Sequence, residues 1–131
     1  MTGEELEQKY LMDWAKLQTC KYPELKSLYH IPNGGHRHKV TAIRLKMTGV
    51  KAGVPDLCLP VARGPYHGLY IEMKYGKNKP SPAQKEWLRR LTEQGYKTAV
   101  CWGWEEAKDA ILGYLKQKPV DMANGIEYIK E

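Results

Sequence analysis

The chain has 131 residues, with 21 Lys and Arg against 15 Asp and Glu, and its formal net charge is +6. This length predicts a single domain with one hydrophobic core, and 42% hydrophobic with 27% charged residues excludes disordered, collagen-like and coiled-coil chains. No apolar stretch approaches the roughly 20 residues that cross a bilayer, so we expect a cytoplasmic protein with no membrane partner. The basic excess favours a polyanionic partner, nucleic acid before a membrane surface.

The N-terminal part of the chain predicts one clear helix and two short, ambiguous elements. Four large apolar residues recur at helical spacing and predict an amphipathic helix over residues 4–18: Leu6, Tyr10, Trp14 and Leu17. Residues 27–31 predict a short strand or extended piece, and the Pro-Asn-Gly-Gly run at 32–35 predicts a turn. Segment 40–47 fits both helical and strand periods, and we favour a short helix or an irregular arm.

The C-terminal part predicts a hairpin followed by a helix, a strand and a helix. Residues 54–59 and 68–74 are apolar runs bounded by proline and glycine, which is typical of paired strands. Ser81 as N-cap, with Gln84 three residues later, marks the start of the next helix. A strand is expected over 96–102, and the last helix follows it.

The complete order of elements predicts one mixed α/β domain over residues 1–131. The last helix is expected over 105–117, because Ala107, Ile111 and Leu115 recur every four residues. We expect the core of the domain over about 4–117 and a C-terminal tail over 118–131.

Asp56 and the run Glu72-Met73-Lys74 are the most chemically informative feature. Side chains alternate along a strand, so Glu72 and Lys74 are expected to line a cleft while Met73 packs on the core. The hairpin would bring Asp56 beside Glu72. Two adjacent carboxylates suit Mg²⁺ or Mn²⁺, and with a lysine they suit phosphodiester hydrolysis. An exposed ion pair and a strand cap remain an alternative interpretation of the same residues.

These residues resemble the PD-(D/E)XK nuclease signature, and the surrounding chain resembles one branch, the virus-type replication-repair nuclease (VRR-NUC) domain. The resemblance extends from residue 5 to about residue 115 and rests on five segments in order. They are Glu5-Leu6-Glu7-Gln8, Pro32-Asn33-Gly34-Gly35, Gly49-Val50-Lys51-Ala52-Gly53-Val54-Pro55-Asp56, Gly68-Leu69-Tyr70-Ile71-Glu72-Met73-Lys74 and Ser81-Pro82-Ala83-Gln84. The family implies a restriction-endonuclease-like core, a central mixed β-sheet flanked by helices.

The resemblance also implies residue roles. Asp56 and Glu72 would be direct metal ligands, with the backbone carbonyl of Met73 as a further oxygen. Lys74 would be the catalytic lysine. Gln84 matches a glutamine that faces the active site in this branch, and its capping-box role is an alternative that does not exclude this one.

The first helix should supply one more acidic residue, which would reach the metal through water. The family pattern E-x-x-Q places it at Glu5 with Gln8, and Glu5 lies beside Leu6 at the edge of the expected apolar stripe. Glu4 and Glu7 are competing assignments. The preference of acidic residues for the positive end of a helix dipole is an alternative explanation of all three.

The resemblance implies a Mg²⁺- or Mn²⁺-dependent DNA endonuclease without an organic cofactor. Viral members of the family suggest a homodimer that cuts branched DNA, such as four-way (Holliday) junctions or flaps, in viral or phage replication, recombination or repair. The protein would then act in the bacterial host cytoplasm. Two alternatives stay open: a catalytically silent DNA-binding module of the same fold, and a structural domain.

One segment carries the whole net charge. Between Leu25 and Pro55 there are six basic residues and no acidic one: Lys26, Arg37, Lys39, Arg44, Lys46 and Lys51. Because this segment leads into Asp56, we expect its basic side chains to contact the phosphate backbone of DNA. The affinity for DNA should then fall as the salt concentration rises. The backbone N–H groups of Asn33, Gly34 and Gly35 are candidate phosphate contacts, or these residues form a plain turn.

Overall fold

The computed structural model describes residues 1–32, 39–121 and 125–129. The helices are α1 (Gly3–Leu17), a 3₁₀ helix (Pro23–Ser27), α2 (Lys39–Met47), α3 (Pro82–Glu93) and α4 (Trp104–Leu115). The strands are β1 (Tyr29–His30), β2 (Leu57–Leu59), β3 (Leu69–Lys74) and β4 (Lys97–Trp102). No helix in these described ranges is long and apolar enough to cross a membrane.

The four strands form one mixed sheet in the order β1-β2-β3-β4. Strands β1 and β3 both pair antiparallel with β2, while β4 lies parallel to β3 after the crossover through α3. Helices α1 and α4 pack on the sheet, and their contact with it is made by buried residues such as Leu11, Ile71 and Ile111. The predicted fold class, a central mixed β-sheet flanked by helices, is therefore confirmed.

The hairpin was predicted correctly, and α2 is the short helix of the two alternatives for segment 40–47. One element was missed and one strand was predicted too long. Between α1 and β1 lies a five-residue 3₁₀ helix that the sequence pattern did not reveal. Such a short element with three residues per turn has no 3.6-residue periodicity to detect. The strand expected over 54–59 begins only at Leu57.

The face of α1 that meets the core was also predicted wrongly. The expected stripe is largely exposed, with Leu6 39%, Tyr10 43% and Leu17 81% accessible, whereas Leu11 and Ala15 are 0% and 2% accessible. Trp14, the fourth residue of the stripe, packs partly buried against the core, so the buried face is centred on Leu11 and Ala15 and the expected stripe lies to one side of it. This rotation decides which acidic residue of α1 reaches the site.

Candidate active site

Glu72 is a buried carboxylate near the end of β3. Its accessibility is 1%, and neither carboxylate oxygen has a hydrogen-bond partner among the described residues. Burial, and secondly the neighbouring Asp56 carboxylate, raises the pKa of Glu72 to about 9, although the Lys74 charge opposes this. A fully buried acid without a donor is costly, and a bound cation is one group that would replace the missing donors.

Asp56 lies where the β2–β3 ladder ends, and Pro55 explains why the ladder ends there. Continuing the observed register by two residues would place Pro55 opposite Met73, but proline has no N–H to donate. The N–H of Met73 instead donates to Oδ2 of Asp56 at 2.7 Å. Since the N–H and C=O of one strand residue point to the same side, the Met73 carbonyl also points toward Asp56 and has no donor from β2 in this ladder.

The backbone of Asp56 is held from the other side by β1. Its carbonyl accepts a hydrogen bond from the N–H of Ile31 at 2.7 Å, and it lies 2.9 Å from Nδ1 of His30. Asp56 is therefore held between β1 and β3, and its carboxylate lies close enough to Glu72 to raise the pKa of that residue. This juxtaposition is the one that the hairpin predicted.

Lys74 ends β3 on the same face as Glu72, as residues two apart on a strand must. Its accessibility is 7%, so the side chain of Lys74 is largely enclosed. The Nζ of Lys74 lies 3.7 Å from Oε1 of Glu4, on α1. The other oxygen of Glu4 accepts a hydrogen bond from Nδ2 of Asn78 at 3.3 Å.

The structure thus brings Glu4 to the site and leaves Glu5 exposed. Glu4 lies seven residues before Leu11, two helical turns along the face that is buried, and so its side chain points at the sheet. Glu7 makes a different contact, because its Oε1 accepts a hydrogen bond from the N–H of Trp104 at 3.2 Å, at the start of α4. The assignment to Glu5 came from the family pattern E-x-x-Q, and the position of Glu5 beside Leu6, which supported it, is exposed in the structure.

Gln84 lies in the first turn of α3, where the predicted capping box is formed. Its Oε1 accepts a hydrogen bond from the N–H of Ser81 at 2.8 Å, and its own N–H donates to Oγ of Ser81 at 3.2 Å. The loop before β2 packs against this turn, because a Cβ on Gly53 would lie 2.8 Å from the backbone carbonyl of Ala83. Gly53 has φ +90°, so glycine is required there for both reasons.

The negative and positive charges of the four ionisable residues at the site do not cancel. If all ionise, the three carboxylates of Glu4, Asp56 and Glu72 face a single ammonium, that of Lys74. The remaining charge of two is that of one divalent cation, and carboxylate and carbonyl oxygens are the ligands that Mg²⁺ prefers. The residues that offer these oxygens are Asp56, Glu72 and Met73. Across the described part of the chain, no three His, Cys, Asp or Glu side chains cluster as a metal site.

The predicted DNA-binding residues are only partly visible. Arg44 and Lys46 are exposed on α2, and Lys51 is exposed in the loop between α2 and β2. Lys39 begins α2. Four members of the predicted set lie outside the described residues: Asn33, Gly34, Gly35 and Arg37.

An acidic pair and a lysine thus lie at the end of two paired strands in the mixed sheet, and the comparisons with known proteins imply a nuclease of the PD-(D/E)XK type. The family model for the VRR-NUC domain matches residues 2–104. A solved structure described as a VRR_NUC domain protein is 36% identical, with a TM-score of 0.78 over 92% of this chain and 94% of that chain. No curated protein matches the chain. The chain belongs to the VRR-NUC family, and nucleases of this type generally use divalent metals.

Proposed function

We propose that this protein is a Mg²⁺- or Mn²⁺-dependent deoxyribonuclease whose active site is formed by Asp56, Glu72 and Lys74. The observation that carries the proposal is the pair of buried Glu72 oxygens that have no hydrogen-bond partner among the described residues, beside a second carboxylate. A divalent ion bound there would supply Lewis-acid activation of the scissile phosphate and of a water molecule. Asp56, Glu72 and the Met73 carbonyl would hold this ion.

Lys74 has the role of stabilising negative charge on the phosphate or of orienting the attacking water. Its ammonium is enclosed, with a side-chain accessibility of 8%, so its charge acts through little solvent. The Glu4 carboxylate keeps this ammonium in place. Gln84 uses its oxygen in the capping box, and we assign its NH₂ group to a contact with the DNA phosphate next to the site.

Glu4, rather than Glu5, is the acidic residue that we assign to the site from α1. We expect Glu4→Gln to lower the rate of metal-dependent DNA cleavage by about 10-fold or more, because Lys74 loses the carboxylate that positions it. The matched control is Glu5→Gln, in the same helical turn but exposed. Single-turnover cleavage rates measure both variants. A larger loss in Glu5→Gln would return the role to Glu5.

The basic segment before Asp56 is assigned to the DNA backbone. We expect Arg44→Ala plus Lys46→Ala to weaken DNA binding and to reduce the slope of log affinity against log salt by about 2, one unit for each lost phosphate contact. Fluorescence anisotropy at several salt concentrations measures this slope.

The control for this pair is Lys116→Ala plus Lys118→Ala, which also removes two exposed lysines. The N–H of Gly64 donates to the Lys118 carbonyl, so these lysines lie toward the start of β3, away from Asp56. The control should keep the wild-type slope. If both double variants had the same slope, Arg44 and Lys46 of α2 would not be the residues that contact the DNA backbone.

The finer features of the proposal rest on the family resemblance. Viral relatives suggest a preference for four-way junctions or flaps, a homodimer that presents two active sites, and a role in viral or phage replication or repair in the host cytoplasm. We further propose that residues 1–131 act as one domain. If light scattering gave the mass of a monomer for both the free and the DNA-bound protein, the proposed homodimer would be wrong.

A further inference from the structure

Trp102 ends β4 directly beside the proposed catalytic lysine. In the parallel pair, Lys74 and Trp102 are partners, and partners on neighbouring strands, about 4.8 Å apart, point to the same face of the sheet. The side chain of Trp102 therefore lies on the face of Glu72 and Lys74. Yet it is 39% accessible, whereas Lys74 is 7% accessible, so the indole forms part of the rim of the site.

The indole is held in place by the loop that follows β3. Its Nε1–H donates to the carbonyl of Asn78 at 2.8 Å. The same Asn78 donates its backbone N–H to the carbonyl of Tyr75 at 3.2 Å and its amide to Glu4. A chain of contacts thus runs from Trp102 through Asn78 and Glu4 to Lys74. Because the polar atom of the indole is already bonded, its exposed surface is apolar.

The surroundings of this ring have the composition of a single-strand binding surface. Lys77 and Lys79 are exposed in the loop, and Tyr75 is 52% accessible. Proteins that hold single-stranded DNA combine such cations with aromatic rings on which bases stack. A paired base offers its face only at a duplex end or a branch.

We propose that Trp102 stacks on an unpaired nucleobase of the DNA strand whose phosphate lies beside Lys74. This subsite rests on the proposed function, and it deepens it, because it favours substrates with unpaired nucleotides at the cutting position. Lys77 and Lys79 contact the phosphates that flank the stacked base.

The test combines protein variants with DNA in which one base is missing. Binding of a flapped DNA is measured by anisotropy in EDTA, with each flap nucleotide next to the branch replaced in turn by an abasic site. We expect Trp102→Ala to weaken binding about 10-fold, and Trp102→Phe to restore most of it. One abasic position should weaken the wild type by a similar factor and leave Trp102→Ala unaffected.

Trp102→Leu keeps an apolar side chain without a ring, so it replaces Trp102→Ala if that variant does not fold. The stacking would be overturned if every abasic site lowered the DNA affinity of Trp102→Ala by the same factor as that of the wild type. It would also be overturned if the wild type did not bind the DNA. Cleavage of the same DNA by the wild type in Mg²⁺ is scored separately. If the wild type cuts the DNA but the abasic site weakens the wild type and Trp102→Ala equally, only the stacking subsite is wrong. If the abasic site weakens only the wild type but no DNA is cut, only the proposed nuclease activity is wrong.

Discussion

Asp56→Asn should lower the single-turnover rate of DNA cleavage by about 10³-fold or more. The variant removes one of the two side-chain carboxylates assigned to the divalent ion, and a lost Lewis-acid contribution of several kcal/mol corresponds to a factor of this size. The backbone around the site should be retained, because the Asn oxygen can still accept the hydrogen bond that the Met73 N–H donates to Oδ2. The loss is therefore expected in catalysis and not in folding.

The control for this variant is its DNA affinity in EDTA, together with its thermal unfolding. Both should stay close to the wild type, since Asp56 is not among the residues assigned to the DNA backbone. A variant that cuts within a few-fold of the wild-type rate would show that the chemistry lies elsewhere. A variant with normal rate but poor binding would show that Asp56 serves only the substrate contact.

Glu72→Gln should stabilise the metal-free protein at alkaline pH. The folded-state pKa of Glu72 is raised from 4.5 to about 9, so the folded protein retains a proton that the unfolded chain releases. Its contribution to stability is fully present below pH 4.5 and is lost as the pH rises toward 9, by at most about 1.4 kcal/mol per pH unit. Glutamine is neutral throughout, and at pH 8 we expect its free energy of unfolding to exceed that of the wild type by about 2–4 kcal/mol.

Denaturant unfolding at pH 5, 7 and 9 in EDTA measures this difference, with exposed Glu5→Gln as the control that should show none. Addition of Mn²⁺ should reverse the order, because an ion that binds only the folded state stabilises the wild type and has lost a ligand in Glu72→Gln. A stability difference that is independent of pH, together with equal stabilisation by Mn²⁺, would show that Glu72 is not the buried acid of a metal site.

The pairing of Asp56 with Glu72 could be predicted from sequence because it depends on local rules. The predicted hairpin pairs the strands that carry the two residues, and a strand alternates its side chains, so the juxtaposition follows from spacing. The capping box at Ser81 and Gln84 is equally local. These features need no knowledge of the rest of the fold.

The acidic residue of α1 could not be predicted in the same way. Which face of an amphipathic helix is buried depends on what it meets, and in α1 Leu11 and Ala15 lie inside while Leu6, Tyr10 and Leu17 are exposed. The position of Trp102 beside Lys74 depends on the parallel register of β3 and β4, which follows a crossover through α3. The spacing of residues in the sequence does not determine which residues of two such strands become partners.

The most direct test of the account is cleavage of labelled linear, flapped and four-way DNA by the wild type and by Lys74→Met, each with Mg²⁺, with Mn²⁺ and with EDTA. Methionine suits a position that is 7% accessible and removes only the charge. We expect cutting by the wild type in either metal, none in EDTA and none by the variant. Binding without cutting under all conditions, or undiminished cutting by Lys74→Met, would contradict it.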